Sequence, residues 1–96
     1  MNLGQVIEEL KNGKKLARKG WNGKGMFIYL TYGSEVPVIS MKAETTKHLF
    51  GEKRLECDET VKINPHIDMK ATDGTVIIGW LASQTDMLAD DWYIVS

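Results

Sequence analysis

The chain has 96 residues, 43% of them hydrophobic and 26% charged, with a formal net charge of −1. A chain of this length makes one small domain that buries only about 60–65% of the surface its unfolded form exposes, so a monomer has a thin stability margin. The near-neutral charge gives no global pull toward DNA or an anionic membrane, so any anion site must be local. One cysteine, Cys57, excludes a disulfide framework and a thiolate metal site and suits a reducing cytoplasm. No apolar run approaches the roughly 20 residues of a membrane span.

Leu3, Val6, Ile7 and Leu10 recur at the spacing of one helix face, with Asn2 as N-cap and Gly13 as the C-terminal stop. Lys14 to Arg18 reads as a short strand with Leu16 facing inward. Gly20, Gly23 and Gly25 then mark a turn-rich loop that carries Trp21 and Asn22. Met26 to Tyr32 is the strongest strand signal. Phe27 and Tyr29 fall on one face and Met26, Ile28 and Leu30 on the other, so the strand is apolar on both and needs cover on both, from this chain or from a partner subunit.

Residues 33–65 read as a variable insertion. Pro37 is expected to break pairing at that point. Glu44 to Phe50 forms a short helix ended by Gly51, and Glu52 to Thr60 is an exposed, charged loop. Asp73-Gly74 is a two-residue hairpin signal. A turn of that length pairs Met69 with Ile78 and Ile67 with Trp80, and puts Ile67, Met69, Ala71, Val76, Ile78 and Trp80 on one face, with Asp68, Lys70 and Thr72 on the other. Ser83 reads as a helix N-cap, with Asp86 completing a variant capping box and Ala82 and Met87 at the staple positions. That helix lasts about two turns before Asp90-Asp91, and Trp92 to Val95 closes the chain as a strand. The whole reads as α+β: a small antiparallel sheet with an N-terminal helix and a short C-terminal helix, in a single domain over 1–96.

All three tryptophans lie in two dense blocks, Arg18–Gly25 and Trp80–Trp92. Aromatic faces, a basic pair, amides and carboxylates together suit a ligand with bases, riboses and phosphates. The candidate binding residues are Arg18, Trp21, Asn22, Trp80, Ser83, Gln84, Asp90 and Asp91. Trp21 is either a stacking platform for a base or a plug at the end of the sheet. Arg18 offers a bidentate fork to phosphate, and Lys19 is a solvated cation in the simpler reading. Ser83 and Gln84 stand at a helix start, where free N–H groups favour anions; the plainer reading is that Ser83 and Asp86 only cap the helix. Asp90 or Asp91 would bind ribose hydroxyls, against the alternative of a charged helix terminus. Trp80, on the apolar hairpin face, fits the core more readily than a contact. His48 and His66 have no partner at metal spacing and read as surface histidines. Gly20-x-x-Gly23-x-Gly25 lacks the strand–loop–helix context of a dinucleotide fingerprint. No nucleophile–base arrangement, metal cluster or cofactor motif is present.

The blocks Arg18-Lys19-Gly20-Trp21-Asn22-Gly23-Lys24-Gly25-Met26 and Gly79-Trp80-Leu81-Ala82-Ser83-Gln84-Thr85-Asp86-Met87-Leu88-Ala89-Asp90-Asp91-Trp92, with Met69-Lys70 and Asp73-Gly74 and the helix Leu3–Leu10 followed by Gly13-Lys14-Lys15, resemble the second Thoeris anti-defence family of small phage proteins. The resemblance covers most of the chain outside 33–65. It implies a non-enzymatic sponge, a homotetramer that sequesters the cyclic ADP-ribose isomer (glycocyclic ADP-ribose) made by the Thoeris TIR-domain enzyme in the host cytoplasm. Some relatives also take up cyclic oligonucleotides such as cyclic dinucleotides at a separate site. Two other readings compete with it: an enzyme that degrades the same signal, and a plain protein-interaction module whose tryptophans are all core.

Overall fold

The computed structural model describes residues 1–51 and 59–96, which form two compact units, Met1–Thr31 with His66–Ser96, and Tyr32–Pro65. The second unit nearly coincides with the stretch 33–65 that the sequence sets apart. The architecture is α+β, with three α-helices and antiparallel sheets.

The first unit begins with α1 (Leu3–Lys11). Asn2 Oδ1 accepts the Gln5 amide at 3.0 Å, and Gln5 Oε1 accepts the Asn2 amide at 2.9 Å, a reciprocal cap that satisfies two otherwise orphaned donors. The helix then buries Val6 and Leu10, one turn apart on the same face. The chain leaves the helix through Asn12 and Gly13, whose φ of 82° lies in the left-handed region open to glycine.

Five strands follow in this unit: β1 (Lys15–Arg18), β2 (Phe27–Thr31), β5 (His66–Lys70), β6 (Val76–Ile77) and β7 (Trp92–Val95), in the order β6-β5-β2-β1-β7, all antiparallel. The central strand is β2, the strongest strand signal in the sequence. Ile28 sits opposite Leu16 on one side and Met69 on the other. This row packs with Val6, Leu10 and Trp92 to make the core. Strand alternation therefore sends Lys15, Ala17, Phe27, Tyr29, Asp68, Lys70 and Tyr93 to the other face. The two-faced apolar character of β2 is real, and within this unit α1 covers one of its faces.

The hairpin differs from the expectation by one residue. Met69 pairs with Ile77 and Lys70 with Val76. The Ala71 amide donates to Thr75 O at 2.8 Å and the Gly74 amide to Ala71 O at 3.0 Å. Gly74 alone takes a positive φ, 90°, while Asp73 does not. This is a three-residue loop whose left-handed glycine absorbs the extra residue, rather than a two-residue turn with both central residues left-handed. Asp73 Oδ1 accepts both the amide and the hydroxyl of Thr75, at 3.0 and 2.7 Å, which fixes that alternative. The slip releases Val76 and Ile78 from the core, and they stay 51% and 66% exposed.

Two polar residues are also placed differently from the sequence reading. Asp68 is buried, 1% exposed. It accepts the Thr31 hydroxyl, the Gly79 amide at 3.0 Å and His66 Nδ1 at 2.7 Å. Burial alone would raise its carboxyl pKa, but these donors outweigh burial and hold it below the ordinary value. A buried carboxylate accepts only, so His66 Nδ1 carries the hydrogen and His66 is a half-buried partner rather than a bare surface histidine. His48 is exposed.

In the second unit, β3 (Ser34–Pro37) and β4 (Thr60–Ile63) form an antiparallel ribbon. Pro37 does not prevent pairing: it is the last residue of β3, opposite Thr60, where a missing N–H is tolerated. A 3₁₀ turn (Val38–Ser40) and α2 (Ala43–Phe50) follow, with Gly51 ending α2 at φ 64°. Val38 and Thr46 are buried. Of the charged loop expected over Glu52 to Thr60, residues 52–58, including Cys57, lie outside the described residues; Glu59 is exposed and Thr60 begins β4. No helix among the described residues is long and apolar enough to cross a membrane.

The hairpin geometry gives a direct test. A Cβ at Gly74 meets open space, so Gly74→Ala isolates the left-handed backbone. It should lower stability by about 1–2 kcal/mol in urea unfolding; unchanged stability would mean that Gly74 is not left-handed.

Candidate functional site

The two dense blocks of the sequence meet at one end of the sheet. Arg18 is the last residue of β1 and pairs with Trp92, so Asp91 arrives beside it. One turn of helix, α3 (Gln84–Leu88), delivers Asp86 to the same place. Arg18 Nε donates to Asp91 Oδ1 at 2.8 Å, and Nη1 donates to Asp86 Oδ1 at 2.8 Å. The planar fork thus spans two carboxylates on different elements. The side chains of Arg18 and Asp86 are each 13% exposed, which strengthens the pair relative to a surface bridge.

Each carboxylate has further work. Asp86 accepts Trp21 Nε1 at 3.0 Å and the Ser83 amide at 3.2 Å, while its own amide donates to Ser83 Oγ at 3.0 Å. The expected capping box at Ser83 is present, and Asp86 serves the helix, the arginine and the indole at once. Asp91 Oδ2 accepts the Gly20 amide at 2.8 Å, and its carbonyl accepts the Lys19 amide at 3.3 Å. The loop that follows β1 is thereby stitched to the start of β7. A Cβ at Gly20 would lie 3.0 Å from Asp91 Oδ2 and 3.1 Å from Arg18 Nη2, so any other residue would press on the ion pair.

The three indoles gather beneath this network. Trp21 lies 5.2 Å from Trp92 and 6.3 Å from Trp80, and Trp80 lies 6.1 Å from Trp92, all edge to face. Trp92 is buried and donates Nε1 to the Asp86 carbonyl at 3.1 Å.

The electrostatics favour fixed charge. Burial would raise the Asp86 pKa, but hydrogen bonds from Arg18, Trp21 and Ser83 outweigh it and lower it. Asp91 is lowered first by the Arg18 hydrogen bond, against a smaller effect of burial. Arg18 is raised by Asp91 and then Asp86. Both carboxylates stay ionised at neutral pH and are poor proton donors. Among the described residues, no three His, Cys, Asp or Glu side chains converge on a metal position.

Beside the network opens a pocket of about 380 Å³, lined by Ala17, Arg18, Lys19, Trp21, Gly23, Lys24, Gly25, Met26 and Tyr93. Its polar equipment is three cations and a phenol, and its apolar surface includes the Trp21 indole and the Met26 thioether. Of the candidates read from sequence, Arg18 and Trp21 line it. Asp91 acts through Arg18 and Gly20. Trp80 packs against the core. Asn22, Ser83, Gln84 and Asp90 are exposed and lie outside the lining. Ala89 is already extended, so Asp90 and Asp91 stand beyond the helix rather than on its last turn. Lys24, Met26, Ala17 and Tyr93 are not among the sequence candidates. The alternation of β1 and β7, which puts Ala17 opposite Tyr93, is the signal that would have found the last two.

Comparison with known proteins bears on the whole chain. Residues 1–95 match the model of the Thoeris anti-defense 2-like domain. The chain is 40% identical over 96 residues to the protein "Thoeris anti-defense 2" of Bacillus phage SP01, with 100% of this chain and 96% of that protein covered.

The network's sign with pH follows from its lowered carboxyls. Groups depressed on folding stabilise the protein above their unfolded pKa and lose that contribution as pH falls through the folded value. Stability should therefore drop on acidification below about pH 4. Asp86→Asn should cost about 2–3 kcal/mol at pH 7, and its stability should fall less steeply with acid than that of the wild type. Parallel pH profiles of Tm for the two proteins would contradict the ion-pair account.

Proposed function

Because this chain belongs to the Thoeris anti-defense 2-like family, we propose that it acts against Thoeris defence as a sponge, binding and holding the cyclic ADP-ribose isomer signal without cleaving it. It acts in the host cytoplasm, where the signal is made. The pocket at the β1–β2 loop carries the reading. Lys19 and Lys24 offer charge to a diphosphate, Trp21 and Tyr93 offer aromatic surface to a base, and the glycines let the backbone close on a ribose. The ionised, fully engaged carboxylates favour binding over turnover, because a hydrolase needs a base free to take a proton.

The pocket's volume is near the small end of the roughly 300–1,000 Å³ usual for ligand sites. A cyclic nucleotide with two riboses and a diphosphate would overfill it, so part of the ligand would be covered by a second copy of the chain. Exposed Val76, Ile77, Ile78, Leu81 and Leu88 supply apolar surface for assembly into a homotetramer. Uptake of cyclic dinucleotides at another site of the assembly is the remaining part of this reading.

The test is capture followed by release. Protein mixed with the cyclic ADP-ribose isomer, freed of unbound ligand and heated should yield the same compound on chromatography at every time point. Lys24→Ala, exposed and uninvolved in the core, should weaken capture about tenfold, the loss of one charge-assisted contact, with Tm and light-scattering mass unchanged. A converted compound would make the protein an enzyme; no capture by the wild type would leave an interaction module.

A further inference from the structure

The sheet face opposite α1 has an arrangement that the pocket does not use. Lys15 on β1 and Lys70 on β5 flank the central strand. Their Nζ atoms stand 5.1 and 5.5 Å from the centroid of the same ring, Phe27. Tyr29 lies beside it, 6.1 Å between centroids. An ammonium over an aromatic face is mildly favourable, but two ammoniums drawn to one ring repel each other. Folded proteins ordinarily relieve this with a carboxylate. Here, among the described residues, neither lysine has an Asp or Glu within ion-pair distance, and the Tyr29 hydroxyl has no hydrogen-bond partner. Asp68 shares this face, but its oxygens are occupied by Thr31, His66 and Gly79. Each lysine makes one long contact to a main-chain oxygen, Lys15 to that of Ser96, the last residue of the sequence, at 3.4 Å and Lys70 to that of Gly25 at 3.5 Å, which leaves donors free on both.

We propose that Lys15, Lys70 and Tyr29, set around Phe27, form a second anion site for a phosphate or diphosphate group. The anion bridges the two ammoniums, removes their repulsion and accepts the phenol, while the Phe27 ring underlies whatever apolar part the ligand carries. This site does not rest on the pocket or on the signal nucleotide. It explains how a chain with a net charge of −1 presents a locally cationic face.

Inorganic pyrophosphate is the probe, titrated at low salt by calorimetry into the intact protein, with amide shifts recorded by NMR on the wild type. Saturable binding that weakens with added salt is expected, with the largest shifts on β1, β2 and β5 around Lys15, Phe27 and Lys70. Lys15→Gln and Lys70→Gln should each weaken the binding read from the β2 and β5 shifts about tenfold, whereas Lys11→Ala, on α1 across the sheet, should leave it intact. The proposal is overturned if pyrophosphate does not bind, if the shifts map only to the β1–β2 loop, or if both glutamine variants keep the binding read on β2 and β5. Failure of signal capture in the pocket leaves all of these readouts unaffected, and the wild-type shift map stands even if a glutamine variant misfolds.

Discussion

Arg18 held between Asp86 and Asp91 is the constraint on which the candidate site depends. One guanidinium ties the end of β1 to the N-terminal turn of α3 and to the residue before β7. Those two carboxylates in turn hold the Gly20 amide, the Trp21 indole and the Ser83 cap. None of these elements is stable alone. α3 has five residues, far below the length at which a helix persists in water, and the loop over residues 19–26 has no regular structure. The network turns three marginal pieces into one wall, with the indole trio filling the space beneath.

This division of labour separates stability from recognition. Of the two acids that the sequence offers as ribose ligands, Asp91 helps to build the wall through Arg18 and Gly20 while Asp90 stays exposed; Asp86, the expected helix cap, also holds Arg18 and Trp21. The groups left with free capacity at the wall are cations, Lys19 and Lys24, with Tyr93. A site whose acids are internally neutralised and whose cations face outward offers charge complementary to an anion. The same bias recurs on the sheet at Lys15 and Lys70. At these two places the buried acids hold structure while lysines keep free donors.

Much of the fold was legible because local signals agreed with tertiary need. Asn2 as N-cap, the 3.6-residue spacing of Leu3 to Leu10, the glycine after Phe50, and the Ser83–Asp86 box each specify part of a helix that the structure contains. The strands over β1, β2 and β7 followed from alternation. The hairpin register did not, because Asp73-Gly74 is compatible with both two- and three-residue loops, and the choice is made by Asp73 capping Thr75. Asp68 and His66 were misread for a related reason. A polar residue on an alternating strand looks solvent-facing until its partners, Thr31 and Gly79, arrive from elsewhere in the chain. At the candidate site, composition marked two blocks that the fold brings together, but only the β1–β7 pairing shows that Arg18 meets Asp91 and that Tyr93 and Ala17 line the pocket.

The central claim is that the β1–β2 loop pocket holds a nucleotide signal. A crystal structure of the protein with the cyclic ADP-ribose isomer tests it most directly. The account predicts intact ligand with its diphosphate at Lys19 and Lys24, a base against Trp21 or Tyr93, and the Arg18–Asp86–Asp91 network undisturbed. Ligand bound away from this loop, or an arginine that abandons its two carboxylates to reach it, would contradict the account.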